Sequence, residues 1–107
     1  MLKTDALRGY TDMIIISILL DEPNYGYEVS RRIRTITNDK FVMKETTLYS
    51  AFNRMEKNGW ITSFFGTETS GNRRTYYQLT DEGRAFYQDK VEEWELTKEI
   101  VDKFVRK

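Results

Sequence analysis

The sequence predicts a mainly α-helical chain with one small β-hairpin and a long C-terminal helix. Three observations predict it. Apolar residues recur at helical spacing in the stretch 44–61, KETTLYSAFNRMEKNGWI, where Leu48, Ala51, Phe52 and Met55 fall on one face. The period then changes, and two runs rich in aromatic and β-branched residues, Trp60 to Gly66 and Arg73 to Leu79, flank a Gly/Asn/Ser-rich connector. Finally, an apolar stripe runs from Tyr87 to the end of the chain with no further sequence left to cover it.

Taken in order, residues from Asp5 to Leu20 read as a first helix. Its apolar run, Met13 to Leu20, is broad enough to require burial nearly all round. Asp21-Glu22-Pro23-Asn24 ends it, because the residue before a proline is pushed out of the helical region and Asn favours turns. A second helix is expected from Tyr25 or Gly26 to Ile36, with Val29, Ile33 and Ile36 inward and Arg31, Arg32 and Arg34 off that stripe. Thr37 to Lys40 reads as loop, and Phe41-Val42-Met43 as a short extended piece. The central helix follows and stops at Gly59, since glycine takes the left-handed conformation without steric cost. After the hairpin, Thr80 is a fitting N-cap for the last helix, whose first turn carries Asp81 and Glu82. Tyr87, Val91, Trp94, Val101, Phe104 and Val105 form its stripe along about seven turns, and a partner copy is the natural cover for it.

Helix, helix, extended piece, helix and hairpin is the order of a winged helix-turn-helix. In that architecture the third helix enters the DNA major groove and the hairpin touches neighbouring backbone or minor groove. Residues 1–80 then form the winged domain and 81–107 a dimerisation helix, within one compact domain. The polar face of the central helix suits this role. Thr46, Thr47, Tyr49, Ser50, Asn53, Arg54 and Lys57 mix short hydrogen-bonding groups with cations, with Glu56 the one acid among them. A plain solvated face of an amphipathic helix is the competing reading of that stretch.

Charge distribution agrees with the functional reading. The 107 residues carry 17 Lys/Arg and 17 Asp/Glu. From Tyr25 to Thr75 there are nine cations against five acids, a local +4, whereas from Asp81 onward there are six against eight, a local −2. Only the middle of the chain is fit to meet phosphate. The absence of His and Cys excludes disulfides, thiolate or imidazole metal sites and histidine bases. No paired acids in an apolar setting and no phosphate-cradling glycine loop are found, so neither an enzyme nor a cofactor is expected. The eight-residue run Met13 to Leu20 is far short of the ~20 residues a membrane span needs. With no signal-like N-terminus, a cytoplasmic protein is expected.

Three blocks carry a family resemblance: Tyr25-Gly26-Tyr27-Glu28-Val29; Thr47-Leu48-Tyr49 running on to Glu56-Lys57-Asn58-Gly59; and Arg73-Arg74-Thr75-Tyr76-Tyr77-Gln78-Leu79-Thr80-Asp81-Glu82-Gly83-Arg84. Together they resemble the PadR family of bacterial transcriptional regulators. Length and the single C-terminal helix look like its short subfamily, which includes a multidrug-sensing repressor. The resemblance implies a homodimer on double-stranded operator DNA, with the last helix as the dimer interface through Tyr87, Val91, Trp94, Val101 and Phe104. Base contacts are expected from Thr46, Thr47, Ser50 and Asn53, with Tyr49 beside them. Phosphate contacts are expected from Lys44, Arg54, Arg73 and Arg74, with Tyr25 near the backbone. Many members carry Ser or Asn as a helix cap where this chain has Lys44. The resemblance also aligns Trp94 with a tryptophan that stacks on flat aromatic compounds at the dimer axis. Gly9, Asp12 and Met13 would face that pore, although their residue types are not shared with the family member. Packing in the dimer seam is the alternative role for Trp94. The rival to the whole functional reading is a winged-helix protein-interaction module without specific DNA binding, which would be expected to lack the cations at Lys44, Arg54, Arg73 and Arg74.

Overall fold

In the computed structural model, which describes residues 2–67, 71 and 73–107, the expected first helix is two pieces. A 3-10 helix, Thr4–Tyr10, passes through non-helical angles at Leu7 and leads into α1, Thr11–Leu19. The Thr11 hydroxyl donates to the carbonyls of Leu7 and Arg8 across the junction. The broad burial read from the apolar run is present: Thr11, Ile15, Ile16, Ile18 and Leu19 are all buried.

Pro23 ends the helical region as expected, but Asn24 is no simple turn residue. Asn24–Tyr25 forms β1, paired antiparallel with β3 (Arg73–Leu79) through Asn24↔Tyr77 and Tyr25↔Tyr76. β3 also pairs with β2 (Ile61–Thr67), giving a three-stranded sheet of order β1-β3-β2. The tip expected between the hairpin strands includes Glu68, Thr69, Ser70 and Asn72, which lie outside the described residues.

Helix α2 spans Gly26–Ile36, and Val29 and Ile33 are buried as its stripe requires. Ile36 is not: it is 68% exposed. The Thr37 hydroxyl bonds both the carbonyl and the N–H of Phe41, folding the chain back so that Phe41 enters the core instead. Asn38 and Asp39 make that reversal at φ of 52° and 63°, a region these two residue types tolerate better than most. Phe41-Val42-Met43 buries Phe41 and Met43 without joining the sheet.

Helix α3, Glu45–Lys57, presents Leu48, Ala51, Phe52 and Met55 to the core. It ends in a Schellman motif, with Gly59 at φ 77°, its N–H on Glu56 O and the Trp60 N–H on Met55 O. The last helix, α4, spans Asp81–Asp102, about six turns rather than seven, so Phe104 and Val105 lie past its end. The Thr80 hydroxyl accepts from the Gly83 N–H at 3.0 Å. That hydroxyl also lies 2.7 Å from Gly59 O, so one residue ties the start of α4 to the end of α3. Gly83 is required by contact, because a Cβ there would strike the Trp60 carbonyl and the Leu79 side chain. Trp60 in turn stacks on Phe86 with centroids 3.7 Å apart. Beyond Leu96 every residue of α4 except Thr97 is exposed, so the helix end stands clear of the core, and the molecule with it measures 54 × 30 × 22 Å.

Candidate nucleic-acid interface

Because Leu48, Ala51, Phe52 and Met55 bury one side of α3, the helical repeat forces Thr46, Ser50, Asn53 and Lys57 to the centre of the opposite side, where all four are exposed. The two flanks differ. Thr47 and Arg54 turn toward α1 and α4, whereas Tyr49 and Glu56 turn toward α2 and the hairpin. Tyr49 is 45% exposed, yet its ring meets the edge of Phe52 and its hydroxyl end occupies the space beside Gly26. Glu56 accepts from the Ser63 hydroxyl at 2.8 Å, clasping α3 to β2.

Lys44 is the N-cap of α3 and makes no side-chain capping bond, in line with the departure noted above. Its side chain is exposed at the start of the outward face. Arg54 was expected on phosphate. Its guanidinium is held by the carboxylate of Asp12, through Nη2 and, at 3.3 Å, through Nε. Asp12 is the less exposed partner, its side chain 15% accessible against 51% for Arg54. This ion pair braces α3 against α1 and leaves the Arg54 side chain half exposed. Arg73 is exposed, with its guanidinium 5.6 Å from the Phe65 ring centroid. Arg74 lies over Tyr25, 4.1 Å from its centroid, and Tyr25 meets Tyr76 edge to face. Tyr25 and Arg74 are thus brought together beside Tyr49, across an indentation of about 310 Å³.

The other cations of α2 are committed to acids. Arg31 donates to both Glu28 oxygens at 2.8 and 2.6 Å, and Arg32 adds a bond at 3.1 Å. These donors, Arg31 foremost, hold the Glu28 carboxyl at about 2, below its ordinary 4.5 and against the opposing effect of burial. Arg34 pairs with Asp39. Tyr27 is 69% exposed, while of the adjacent pair Tyr76 and Tyr77 it is Tyr77 that is core, stacked on Phe52 at 3.8 Å.

Of the residues expected around an effector, Gly9 and Asp12 border a groove of about 650 Å³ together with Thr46, Thr47, Ser50 and Arg54. Met13 and Trp94 lie outside it. Trp94 is 38% exposed and sits edge-on to Tyr10 of the same chain, centroids 5.3 Å apart. Along the expected dimer stripe Tyr87 packs partly against the core and Val91 is half-buried, while Val101 and Phe104 are 53% and 80% exposed. Leu96 and Ile100, which were not part of that stripe, add exposed apolar surface beside it.

Two residues of this region were not among the expected DNA contacts, although Lys57 was read from sequence on the polar face of the central helix. Lys57 was readable from the helical repeat, since it lies in line with Thr46, Ser50 and Asn53. Phe65 had no such signal: adjacent Phe64 and Phe65 were indistinguishable until strand register assigned them to opposite faces.

A polar helix face exposed above a buried stripe, with a cationic hairpin beside it, defines a DNA-binding protein of the winged helix-turn-helix class. Residues 15–89 match the Transcriptional regulator PadR-like family, and the chain belongs to that family. It is similar over 96% of its length to the whole of a transcriptional regulator from Clostridium thermocellum, with 55% identity and a TM-score of 0.89. A PadR family transcription regulator from Clostridium difficile is 41% identical with a TM-score of 0.78, covering 90% of this chain and 98% of its own. An uncharacterized protein of Lysinibacillus sphaericus is 41% identical over 105 residues, 98% of this chain and 96% of the relative. Among the described residues no helix is long and apolar enough to cross a membrane.

Proposed function

We propose that this regulator is a homodimeric repressor that reads a two-fold operator with α3 in the major groove. The exposed row Thr46, Ser50, Asn53 and Lys57 carries the proposal, because hydroxyl, amide and ammonium groups on one helix face match base edges and phosphates. Thr47 and Tyr49 flank that row. Lys44 at the helix start and Arg73 and Arg74 on the wing hold phosphates, with Tyr25 beneath Arg74. Arg54, whose guanidinium is shared with Asp12, contributes less to phosphate binding than the other cations. The exposed apolar surface at Leu96, Ile100, Val101 and Phe104 supports pairing through the end of α4. A flat aromatic effector held between the two Trp94 rings would release the DNA, and the partial exposure of Trp94 supports that role.

The test begins with gel shifts on the DNA upstream of the regulator's own gene. Asn53→Ala is expected to lose discrimination between operator and random duplex by ~1–3 kcal/mol. Arg73→Ala is expected to weaken both alike and to lower the salt slope by about one. Sequence preference that changes in the wing variant and not in Asn53→Ala refutes the division of labour. Sedimentation as a monomer with undiminished operator binding refutes the dimer.

A further inference from the structure

We infer that Phe65 is a wedge that presses on a base step in the minor groove flanking the α3 contact, with Arg73 holding the adjacent phosphate. The inference rests on the DNA-binding role proposed above and concerns how the wing contributes specificity.

Strand alternation gives the hairpin two faces. One carries Ile61, Ser63 and Phe65 on β2, opposite Leu79, Tyr77 and Thr75 on β3, followed by Thr67 opposite Arg73. This face begins in the core: Ile61 is 1% exposed, Tyr77 stacks on Phe52 of α3, and Ser63 bonds Glu56 of α3. It therefore emerges on the side of the molecule where α3 lies. Past Ser63 and Tyr77 the core ends, and the next side chain outward is Phe65, 72% exposed. Phe64, on the other face, is covered in part by its cross-strand partner Tyr76, whose ring lies parallel to it at 5.6 Å. Phe65 has a cation as its neighbour instead, the Arg73 guanidinium at 5.6 Å.

Minor-groove architectural proteins insert apolar side chains that unstack a base step, and a guanidinium alongside can meet the neighbouring phosphate. With α3 in the major groove, the adjoining minor groove runs past the wing. An exposed Phe and Arg together would also serve as an anchor for a protein partner. Their emergence on the α3 side, continuous with the candidate major-groove face, decides for DNA. A wedge favours steps that unstack easily, so the operator should carry a pyrimidine–purine step at a constant distance outside each base-read core.

The experiment selects short randomised duplexes with the parent, Phe65→Ala, Phe65→Leu and Arg73→Ala, and measures bending of the enriched duplex by energy transfer between its ends. The parent should enrich a core plus a flexible flanking step, preferred about tenfold, on a bent duplex. Phe65→Ala should keep the core and lose both the flanking preference and the bend. Phe65→Leu should retain most of both, since leucine also wedges. Arg73→Ala should bind more weakly with core and flank unchanged. A Phe65→Ala protein that bends DNA and selects flanks as the parent does overturns the wedge while leaving the DNA-binding reading intact. A parent that enriches no duplex overturns both.

Discussion

Replacing Phe52 by alanine tests the contact on which the outward face of α3 depends. Phe52 is 1% exposed, one face of its ring is stacked on Tyr77 at 3.8 Å and 12°, and the edge of Tyr49 approaches at 5.7 Å. Truncation removes the buried ring and leaves a cavity between helix and sheet, which costs ~3–5 kcal/mol. Losing the stacked partner, worth ~0.5–1.5 kcal/mol beyond area, places the expected value in the upper part of that range. Against a total stability of ~5–15 kcal/mol this is a large share. The melting temperature should fall by more than about 10 °C. Urea titrations followed by far-ultraviolet circular dichroism provide the measurement, at one fixed protein concentration, because self-association raises apparent stability. Phe52→Leu, which keeps most of the apolar volume, should lose roughly 1–2 kcal/mol with the same m value. A loss below about 1.5 kcal/mol for Phe52→Ala would refute the claim that this ring holds α3 to the sheet.

Gly83→Ala should destabilise by ~2–3 kcal/mol, since its Cβ meets the fixed Trp60 carbonyl, whereas Gly9→Ala, with nothing within 4 Å, should stay within about 0.5 kcal/mol; equal effects in thermal melts would dismiss the close approach. The Glu28 carboxyl is lowered from 4.5 to about 2, so its ionised form favours the fold. That contribution is complete above about pH 4.5 and is lost as pH falls through about 2, so the stability gap between parent and Glu28→Gln should close over this window. A gap that stays constant across it rules out the Arg31–Glu28–Arg32 cluster as its source. Planar aromatic dyes should quench parent fluorescence and release DNA, and Trp94→Ala should show neither response. Because Trp60 also emits, only the difference between the two proteins counts, and equal dye binding by both assigns Trp94 to packing.

Much of the fold was readable because its signals are local. The stripe Leu48, Ala51, Phe52 and Met55 needs only the helical repeat, the stop at Gly59 only the steric freedom of glycine, and the start at Thr80 only a hydroxyl before two acids. The hairpin strands were placed to within one residue by their change of period. The row Thr46, Ser50, Asn53 and Lys57 follows from the same repeat, so the candidate reading face was visible before any coordinates.

What remained hidden depends on partners far along the chain. Asn24–Tyr25 becomes a strand only because β3, about fifty residues later, offers its edge. Arg54 is drawn to Asp12, 42 residues earlier, a pairing that no repeat announces. Ile36 lost its core position to Phe41 through a hydroxyl of Thr37, and Phe65 separated from Phe64 only when register chose a face for each. Periodicity tells which side of an element is apolar. Which residue covers that side, and which cation finds an acid, is settled by packing, where burial and pairing compete among groups that sequence distance does not relate.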